Sequence, residues 1–253
     1  MSALLIQING RCDADATIVP VAANLNDQRF VEGVIGNLRL FAEAAPAHIA
    51  SLARRSWVIP ARRSDLLARR GEHLPGLFIV AYGMAKLAMR GAETGERVLR
   101  VVGAGQTFGE ATALLGRASR YDALALVDTK AVVIPSQSLL ALMDADPRFA
   151  RAFTLLLAER KLEMLGEVEA ATLRRGAQRL AGYLTSLDAG RVGRVELPVS
   201  KTVVAAQLGM KKETLSRLLR QLAADGVVAV ARRQISIIDG GALERIASAQ
   251  REC

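Results

Sequence analysis

The clearest separation of hydrophobic and polar positions lies in KTVVAAQLGMKKETLSRLLR, residues 201–220. Placed on a helix at 100° per residue, residues 212–222 divide into two faces. One face carries four leucines: Leu215, Leu218, Leu219 and Leu222. The opposite face carries a carboxylate, a hydroxyl and two guanidiniums: Glu213, Ser216, Arg217 and Arg220. The pattern predicts a helix that packs on one side and offers polar groups on the other.

A shorter helix precedes this one. Ser200 can cap its start, and Val204 and Leu208, four positions apart, face the same core. Ala205 is small where two helices would cross, and Gly209 supplies the positive φ of a sharp turn. Together the two segments predict a helix-turn-helix; an ordinary helical hairpin in another kind of core is the alternative.

Two short alternating segments follow, at residues 227–230 and 234–238, with Arg232 and Arg233 at the turn between them. A hairpin directly after the second helix predicts the wing of a winged helix. Its basic tip would lie next to a backbone phosphate of a nucleic acid.

The middle of the chain, residues 57–136, shows short strands separated by glycines. Segments 77–83 and 85–91 predict one hairpin, and ALALV and AVVIP, within residues 123–135, predict a second strand pair. Strands this short indicate a small antiparallel β-roll, or jelly roll. Strands and helices do not alternate here, so a Rossmann unit is disfavoured, and no long helix follows GAGQTFG to make it a dinucleotide fingerprint.

A long helix is predicted over residues 148–173, which contain no proline and a single glycine. Its apolar stripe consists of Leu155, Ala158, Leu162, Leu165 and Val168. A twofold-related copy of the chain could cover this stripe, which predicts a homodimer. The alternative is that the stripe packs against its own barrel.

The predicted fold class is α+β, in four parts. Residues 1–30 are interpreted as an N-terminal arm or irregular extension, in which 17–23 could form a strand interrupted by Pro20. Residues 31–146 are interpreted as the β-roll domain, with a helical segment at 31–56. Residues 147–173 form the dimerisation helix. Residues 174–253 form the winged-helix domain, which opens with a helix over residues 175–187.

The net charge of +9 is unevenly distributed. Residues 174–253 hold 14 Lys/Arg against 7 Asp/Glu, which is +7 of that total. A basic segment that also carries a helix-turn-helix favours double-stranded DNA as the partner. A winged helix used for protein contact is the competing interpretation.

Other classes of protein are disfavoured. No nucleophile with a base, carboxylate pair or metal triad is recognisable, and two histidines leave little for acid–base catalysis, so an enzyme is not expected. No run of about 18 apolar residues indicates a membrane span. The start MSALLIQING lacks a basic segment typical of secretion signals. Only two cysteines, Cys12 and Cys253, are present, which fits a reducing cytoplasm.

A β-roll, a long connecting helix and a C-terminal winged helix together resemble the Crp/Fnr family of bacterial transcription regulators, over residues 38–246. The resemblance implies a homodimer whose cyclic-nucleotide-binding-like β-roll senses a small molecule and whose paired recognition helices read a palindrome, with RNA polymerase as a further partner. The segment ETLSR, residues 213–217, is similar to the Fnr-type recognition signature and implies a half-site like TTGAT. RVELPVSKTVVAAQLGMKKETLSR resembles the nitric-oxide-responsive DNR branch.

The side chains of the second helix agree with DNA recognition. Arg217 can bond bidentately to a guanine edge, Glu213 can accept from a cytosine amino group, and Ser216 can serve either base. The predicted DNA-binding set also contains Thr214 and six residues that would contact phosphates: Lys201, Lys211, Lys212, Arg220, Arg232 and Arg233.

The effector is open at this stage. In cyclic-nucleotide members of the family, a Gly-Glu pair binds the ribose and a later Arg-Ser/Thr-Ala binds the cyclic phosphate. Gly109 and Glu110 match, and Arg120 falls ten residues later, but Tyr121 and Asp122 replace the Ser/Thr and Ala. The same residues could instead form a simple Glu110–Arg120 ion pair on the barrel.

Haem is the cofactor that the DNR-like resemblance suggests for nitric oxide sensing. Its candidate ligands are few and sit in no haem motif: His48, His73, Cys12, Met84 and Met164. An iron–sulfur sensor is disfavoured because Cys12 is the only cysteine near the N-terminus. Regulation without any bound effector is a further alternative.

Overall fold

The computed structural model describes residues 25–91, 95–173, 176–188 and 193–248. The helices are α1 (Leu25–Gly36), α2 (Pro46–Arg55), α3 (Glu110–Leu115), α4 (Ser136–Ala145), α5 (Pro147–Leu173), α6 (Gly176–Leu187), α7 (Lys201–Gln207), α8 (Lys212–Ala224) and α9 (Gly240–Ser248). The strands are β1 (Trp57–Ala61), β2 (Leu66–Ala68), β3 (Gly76–Tyr82), β4 (Met84–Gly91), β5 (Gly95–Gly103), β6 (Thr107–Phe108), β7 (Asp122–Ala125), β8 (Thr129–Pro135), β9 (Arg194–Glu196), β10 (Val228–Ala231) and β11 (Gln234–Ile237). The predicted strand at 17–23, Cys12 and Cys253 lie outside these residues.

Two four-stranded antiparallel sheets form the predicted β-roll. Their strand orders are β1-β8-β3-β6 and β2-β7-β4-β5. Between them lies an apolar core in which Phe78 and Phe108 stack with ring centroids 4.6 Å apart. The α+β fold class predicted from the sequence is therefore correct.

Both strand pairings predicted within the β-roll are wrong. β3 pairs with β6 and β8 and not with β4, although only Gly83 separates β3 from β4. β7 pairs with β2 and β4 and not with β8. At Gly83 the chain crosses from one sheet to the other with φ +86°, and a Cβ there would lie 2.4 Å from the Asp128 carbonyl oxygen. Only glycine fits such a crossing, so strands adjacent in sequence belong to different sheets.

The N-terminal helices cover one face of the barrel. α1 begins at Leu25, within the stretch interpreted as an irregular arm. The helical segment predicted at 31–56 divides into the end of α1, a 3₁₀ turn at Arg39–Phe41 and α2. Val31, Ile35 and Phe41 are buried against strands and helices of the β-roll.

The first turns of α5 pack on the β-roll, while the remaining turns project from it. Asp146 accepts hydrogen bonds from the backbone N–H groups of Arg148 (3.0 Å) and Phe149 (3.3 Å) and so caps the helix start. Phe149 and Phe153 are buried, and the Phe149 ring stacks on Phe41 at 4.9 Å. These two phenylalanines, and not the predicted stripe, attach the helix to its own barrel.

The remaining elements form a second core. α6, α7, α8 and α9 surround the sheet β10-β11-β9. β10 and β11 form the antiparallel hairpin predicted as the wing. None of the helices in the described part of the chain is long and apolar enough to cross a membrane.

Candidate DNA-binding interface and sensor pocket

The turn between α7 and α8 is fixed by several backbone contacts. Ser200 caps α7, its Oγ accepting from the Val203 N–H at 3.4 Å. Gly209 has φ +64°, the left-handed conformation expected of the turn residue. Arg179 Nε of α6 donates to the carbonyl oxygen of Leu208 at 2.8 Å. These contacts set the angle at which α8 leaves the turn.

The apolar face of α8 is buried as its periodicity predicts. Leu215, Leu219 and Leu222 are at most 4% exposed, whereas Leu218 is half-buried. The other face is open. Glu213, Arg217 and Arg220 are exposed, and Thr214 and Ser216 are half-buried. Lys211 and Lys212, which lie at the start of α8, are exposed, and Lys201 is half-buried.

The two arginines of the wing turn have different surroundings. Arg232 is exposed and adopts φ +55°, a left-handed conformation that places it at the tip of the hairpin. Arg233 donates through Nε (3.1 Å) and Nη2 (2.7 Å) to the carbonyl oxygen of Leu197. The Arg233 guanidinium therefore holds the wing on the strand β9 side, and Arg232 is the freer of the two.

A buried polar cluster occupies the β-roll at the Gly109–Glu110 pair. Glu110 is 8% exposed, and its Oε1 accepts from Thr107 Oγ1 at 2.6 Å. The positive group facing Glu110 is Arg100 of β5, with Nη2 at 4.0 Å from Oε1, and this guanidinium also donates to the Thr107 carbonyl oxygen. Sequence reasoning missed Arg100. The signal available was an arginine in the middle of the apolar strand RVLRVV.

Tyr121 closes the same cluster. Its hydroxyl oxygen accepts from the backbone N–H of Gly109 at 3.1 Å, so the amide at the start of α3 is already bonded. Burial, with a smaller contribution from the negative charge of Glu110, raises the pKa of Tyr121 to about 12. Burial also lowers the pKa of Arg100, against the attraction of Glu110.

The residues that would bind a cyclic nucleotide do not come together as one pocket. Arg120 is exposed, and the ion-pair partner of Glu110 is Arg100. The carboxylate of Asp122 accepts from the Arg70 N–H at 2.8 Å and is thereby directed to the loop that follows β2. Glu110, which would take the ribose hydroxyl, is engaged by protein groups. The described residues therefore do not fit the cyclic-nucleotide arrangement.

The candidate haem ligands lie in four different environments. His48 Nδ1 is 3.5 Å from Asp146 Oδ2, and His73 is exposed in the loop between β2 and β3. Met84 packs against the winged-helix core, whereas Met164 is 61% exposed on α5. Across the described ranges, no three His, Cys, Asp or Glu side chains are grouped closely enough to hold a metal ion. These surroundings do not form a haem ligand pair; Cys12 lies outside the described residues.

The two domains contact each other through β5. α7 lies along this strand, and Val101 packs with Met84 and Leu126 against the winged-helix core. The Arg97 guanidinium covers the helix-turn-helix turn so closely that a Cβ on Gly209 would lie 1.7 Å from Arg97 Nη1. The same strand carries Arg100 into the polar cluster.

Comparison with known families agrees with this architecture. Residues 58–146 match the cyclic nucleotide-binding domain, and residues 178–246 match the Crp-like helix-turn-helix domain. Transcriptional regulator LdrP of Thermus thermophilus is 32% identical over 200 residues, which cover 75% of this chain and 96% of the relative. The Cyclic AMP receptor protein of the same species is 29% identical over 178 residues, covering 70% and 82%.

A sensor-type β-roll joined to an exposed recognition helix defines a DNA-binding transcription regulator, and the relatives are regulators and not enzymes. The chain belongs to the Crp/Fnr family.

Solved structures share the fold. FixK2 from Bradyrhizobium japonicum superposes with a TM-score of 0.67 at 22% identity, over 77% of this chain and 98% of that one. A putative cyclic nucleotide binding protein from Ruegeria pomeroyi gives 0.55 at 28% identity, over 88% and 99%. These similarities do not confirm the DNR-like branch.

Proposed function

We propose that the protein is a cytoplasmic homodimeric regulator that reads a TTGAT-like palindrome and acts with RNA polymerase under control of an effector sensed by the β-roll. The observation that carries the proposal is the open polar face of α8. Glu213 and Arg217 are exposed there, opposite leucines that are buried. A carboxylate and a guanidinium on one face of a helix suit the donor and acceptor pattern of the DNA major groove.

The remaining charges suit the DNA backbone. Lys211, Lys212 and Arg232 are exposed around the recognition helix and the wing. Cations at the edge of a recognition helix bind phosphates and fix the register of the protein without reading bases. Arg233 has a structural partner in Leu197, so its proposed phosphate contact would require a second role for the same side chain.

Dimerisation would bring two recognition helices onto one DNA molecule. Four apolar side chains of the predicted stripe are exposed in the single chain: Leu155, Leu162, Leu165 and Val168, between 53% and 69%. A twofold axis along α5 would bury them and place the two half-sites about 10 base pairs apart. An exposed apolar stripe on an otherwise charged helix favours this arrangement over packing on the barrel.

The effector is best sought outside the cyclic nucleotides. Arg120 is exposed and Glu110 is bonded to protein groups, which disfavours cyclic AMP. Haem is disfavoured by the separate surroundings of His48, His73, Met84 and Met164. A small molecule of another class is the effector that we propose.

Fluorescence anisotropy with a palindromic duplex and a random duplex tests the DNA-binding proposal. Arg217→Ala should weaken palindrome binding by about 5- to 150-fold, the equivalent of about 1–3 kcal/mol, because one base-specific contact is lost. Its binding to random DNA should change little. Lys211→Ala should weaken both equally and reduce the salt dependence by about one counterion, because it removes a phosphate contact.

Arg151→Ala, an exposed arginine on α5, serves as the control and should leave both affinities unchanged. Equal losses on the two duplexes for Arg217→Ala would contradict the assigned roles. DNA binding that does not depend on salt would favour the protein-contact alternative.

A further inference from the structure

A groove lies between α1 and strand β3 of the β-roll. Its volume is about 400 Å³. The wall is mostly apolar and comes from both elements and the turn that follows α1: Phe30, Val34, Leu38, Val80 and Ala81. Ligand pockets of proteins have volumes of about 300–1,000 Å³ and are lined mainly by apolar side chains. The groove therefore has the size and the lining of a site for a small molecule.

Two glycines keep this groove open. Gly33 of α1 and Gly105, in the turn between β5 and β6, both line it. A Cβ built on either residue would have no other part of the described chain within 4 Å. At Gly105 the φ of +77° favours glycine, but Gly33 lies inside a helix, where glycine is destabilising relative to alanine. Gly33 thus leaves unfilled a space that a larger and more stabilising residue could occupy.

The polar groups at the rim of the groove favour an anion. Arg29 and Asn37 of α1 line it with exposed side chains, and none of its described lining residues is acidic. Lys130 of β8 lies beside it, with Nζ 5.9 Å from the centre of the Phe30 ring. A guanidinium can bind a carboxylate through two parallel hydrogen bonds. Phe30 is 40% exposed and is available for contact with apolar atoms.

We propose that this groove binds a monocarboxylate with an aliphatic chain of medium length, with the carboxylate at Arg29 and the chain along Val34. The inference goes beyond the proposed function, because the site does not depend on DNA binding. The groove is separate from the polar cluster around Glu110, since no residue of that cluster lines it. Leu38 of the groove belongs to the same buried cluster as Phe149 of α5, so a bound ligand would add to the packing of α1 and α5 on the β-roll.

Calorimetric titration of the full chain with decanoate, at concentrations too low for micelles, tests the proposal. Wild type should bind a single decanoate per chain, and its Tm should rise saturably, by about 4 °C at roughly ten times the Kd. Gly33→Leu should abolish binding, because the new side chain fills the groove, and should raise the Tm of the ligand-free protein, because leucine favours a helix. Arg29→Gln should weaken binding about two- to fivefold, as expected for the loss of an exposed ion pair.

Gly36→Ala is the matched control. Gly36 ends α1 and does not line the groove, and a Cβ there would lie 3.9 Å from Ile49 Cδ1, an ordinary contact, so decanoate binding should be retained. Decyltrimethylammonium carries the same aliphatic chain on a cationic head group. Any binding of this cation should be the same in wild type and in Gly33→Leu, because the groove should not accept it.

The proposal is overturned if wild type binds no decanoate, or if Gly33→Leu binds it as wild type does. It is also overturned if the cation binds at the groove as tightly as decanoate. Decanoate that binds only after deletion of residues 1–24 would assign the groove to the chain's own N-terminal segment. A change of oligomeric mass in Gly33→Leu, measured by light scattering, would assign it to a second copy of the chain.

Discussion

At residue 121 a tyrosine stands where cyclic-nucleotide-binding members of the family carry serine or threonine. The longer side chain reaches the Gly109 N–H and packs against the barrel core. A small hydroxyl residue would leave that amide available to a ligand. One substitution thus changes which groups of the pocket a small molecule can use.

Tyr121 also makes the stability of the folded state depend on pH. Its pKa of about 12 in the folded state lies above the value of about 10 for an unfolded chain. The folded state therefore holds this proton more tightly, and the resulting stabilisation is complete below about pH 10 and is lost as the pH rises towards 12. Stability to urea should fall over this pH range more steeply in wild type than in Tyr121→Phe.

Tyr82→Phe is the control, because Tyr82 is 64% exposed and lies outside the cluster. It should keep the wild-type dependence on pH. A Tyr121→Phe protein that loses stability with pH as steeply as wild type would show that the tyrosine proton is not held by the fold.

Individual residues were predictable where the helical period governs them. The open face of α8 and the buried leucines follow from 100° per residue and needed no tertiary information. The polar cluster was not predictable in the same way, because Arg100 meets Glu110 only after β5 and α3 have been placed by the barrel. The match at Arg120 was a match of spacing, and spacing does not fix the direction of a side chain.

Among the elements, β5 pairs with β4 inside the β-roll and also contacts α7 of the winged-helix domain. Its Val101 packs on the winged-helix core, and its Arg97 lies against the turn at Gly209. Such contacts restrict where α7 and α8 can lie relative to the β-roll. In the proposed dimer, the strand would therefore help to define the distance between the two recognition helices.

Arg97→Ala tests this role. Loosening the contact should lower affinity for a palindromic duplex by about fivefold, roughly 1 kcal/mol of coupling, because the recognition helices lose a fixed separation. Affinity for a duplex with one half-site should be unchanged, since no base contact is removed. Anisotropy titrations with the two duplexes measure the ratio.

Arg90→Ala, an exposed arginine on the neighbouring strand β4, should leave both affinities at wild-type values. If Arg97→Ala lowers the affinity for both duplexes equally, Arg97 contacts DNA directly. A gain in palindrome affinity would mean that the docked position opposes DNA binding.

Strand positions were predictable from the sequence, but strand partners were not. Each segment of the β-roll has the right length and turn residues, so β3, β4, β7 and β8 appear where the pattern predicts them. The prediction that strands adjacent in sequence pair with each other failed because Gly83 carries the chain from one sheet to the other. A short apolar strand also does not specify its partner.

At the scale of the whole molecule, the exposed stripe of α5 is the feature that a single chain leaves unburied. Leu162 is 69% exposed and Leu165 is 54% exposed. Burying two such leucines per chain across a twofold axis is favourable by about 1.5–3 kcal/mol for each fully buried side chain. The protein is therefore expected to form a homodimer that buries this stripe.

Leu162→Glu should give monomers, because burying two carboxylates at a twofold axis is strongly unfavourable. Light scattering after size exclusion should report a mass close to the single-chain value of 27.1 kDa, and palindrome affinity should fall to that of a half-site. Leu115→Glu, which alters a 64% exposed leucine of α3, should stay dimeric. A dimeric Leu162→Glu protein would contradict the proposed axis.

Because β5 is part of the β-roll and also contacts the winged-helix domain, it limits how the two domains can be exchanged. A hybrid regulator is most simply made by joining the sensor of one family member to the DNA-binding domain of another between α5 and α6. In this chain that junction would separate Arg97 and Val101 from the turn and core that they contact. A working hybrid would also have to transplant the outward-facing residues of β5, so the exchangeable module is discontinuous in sequence.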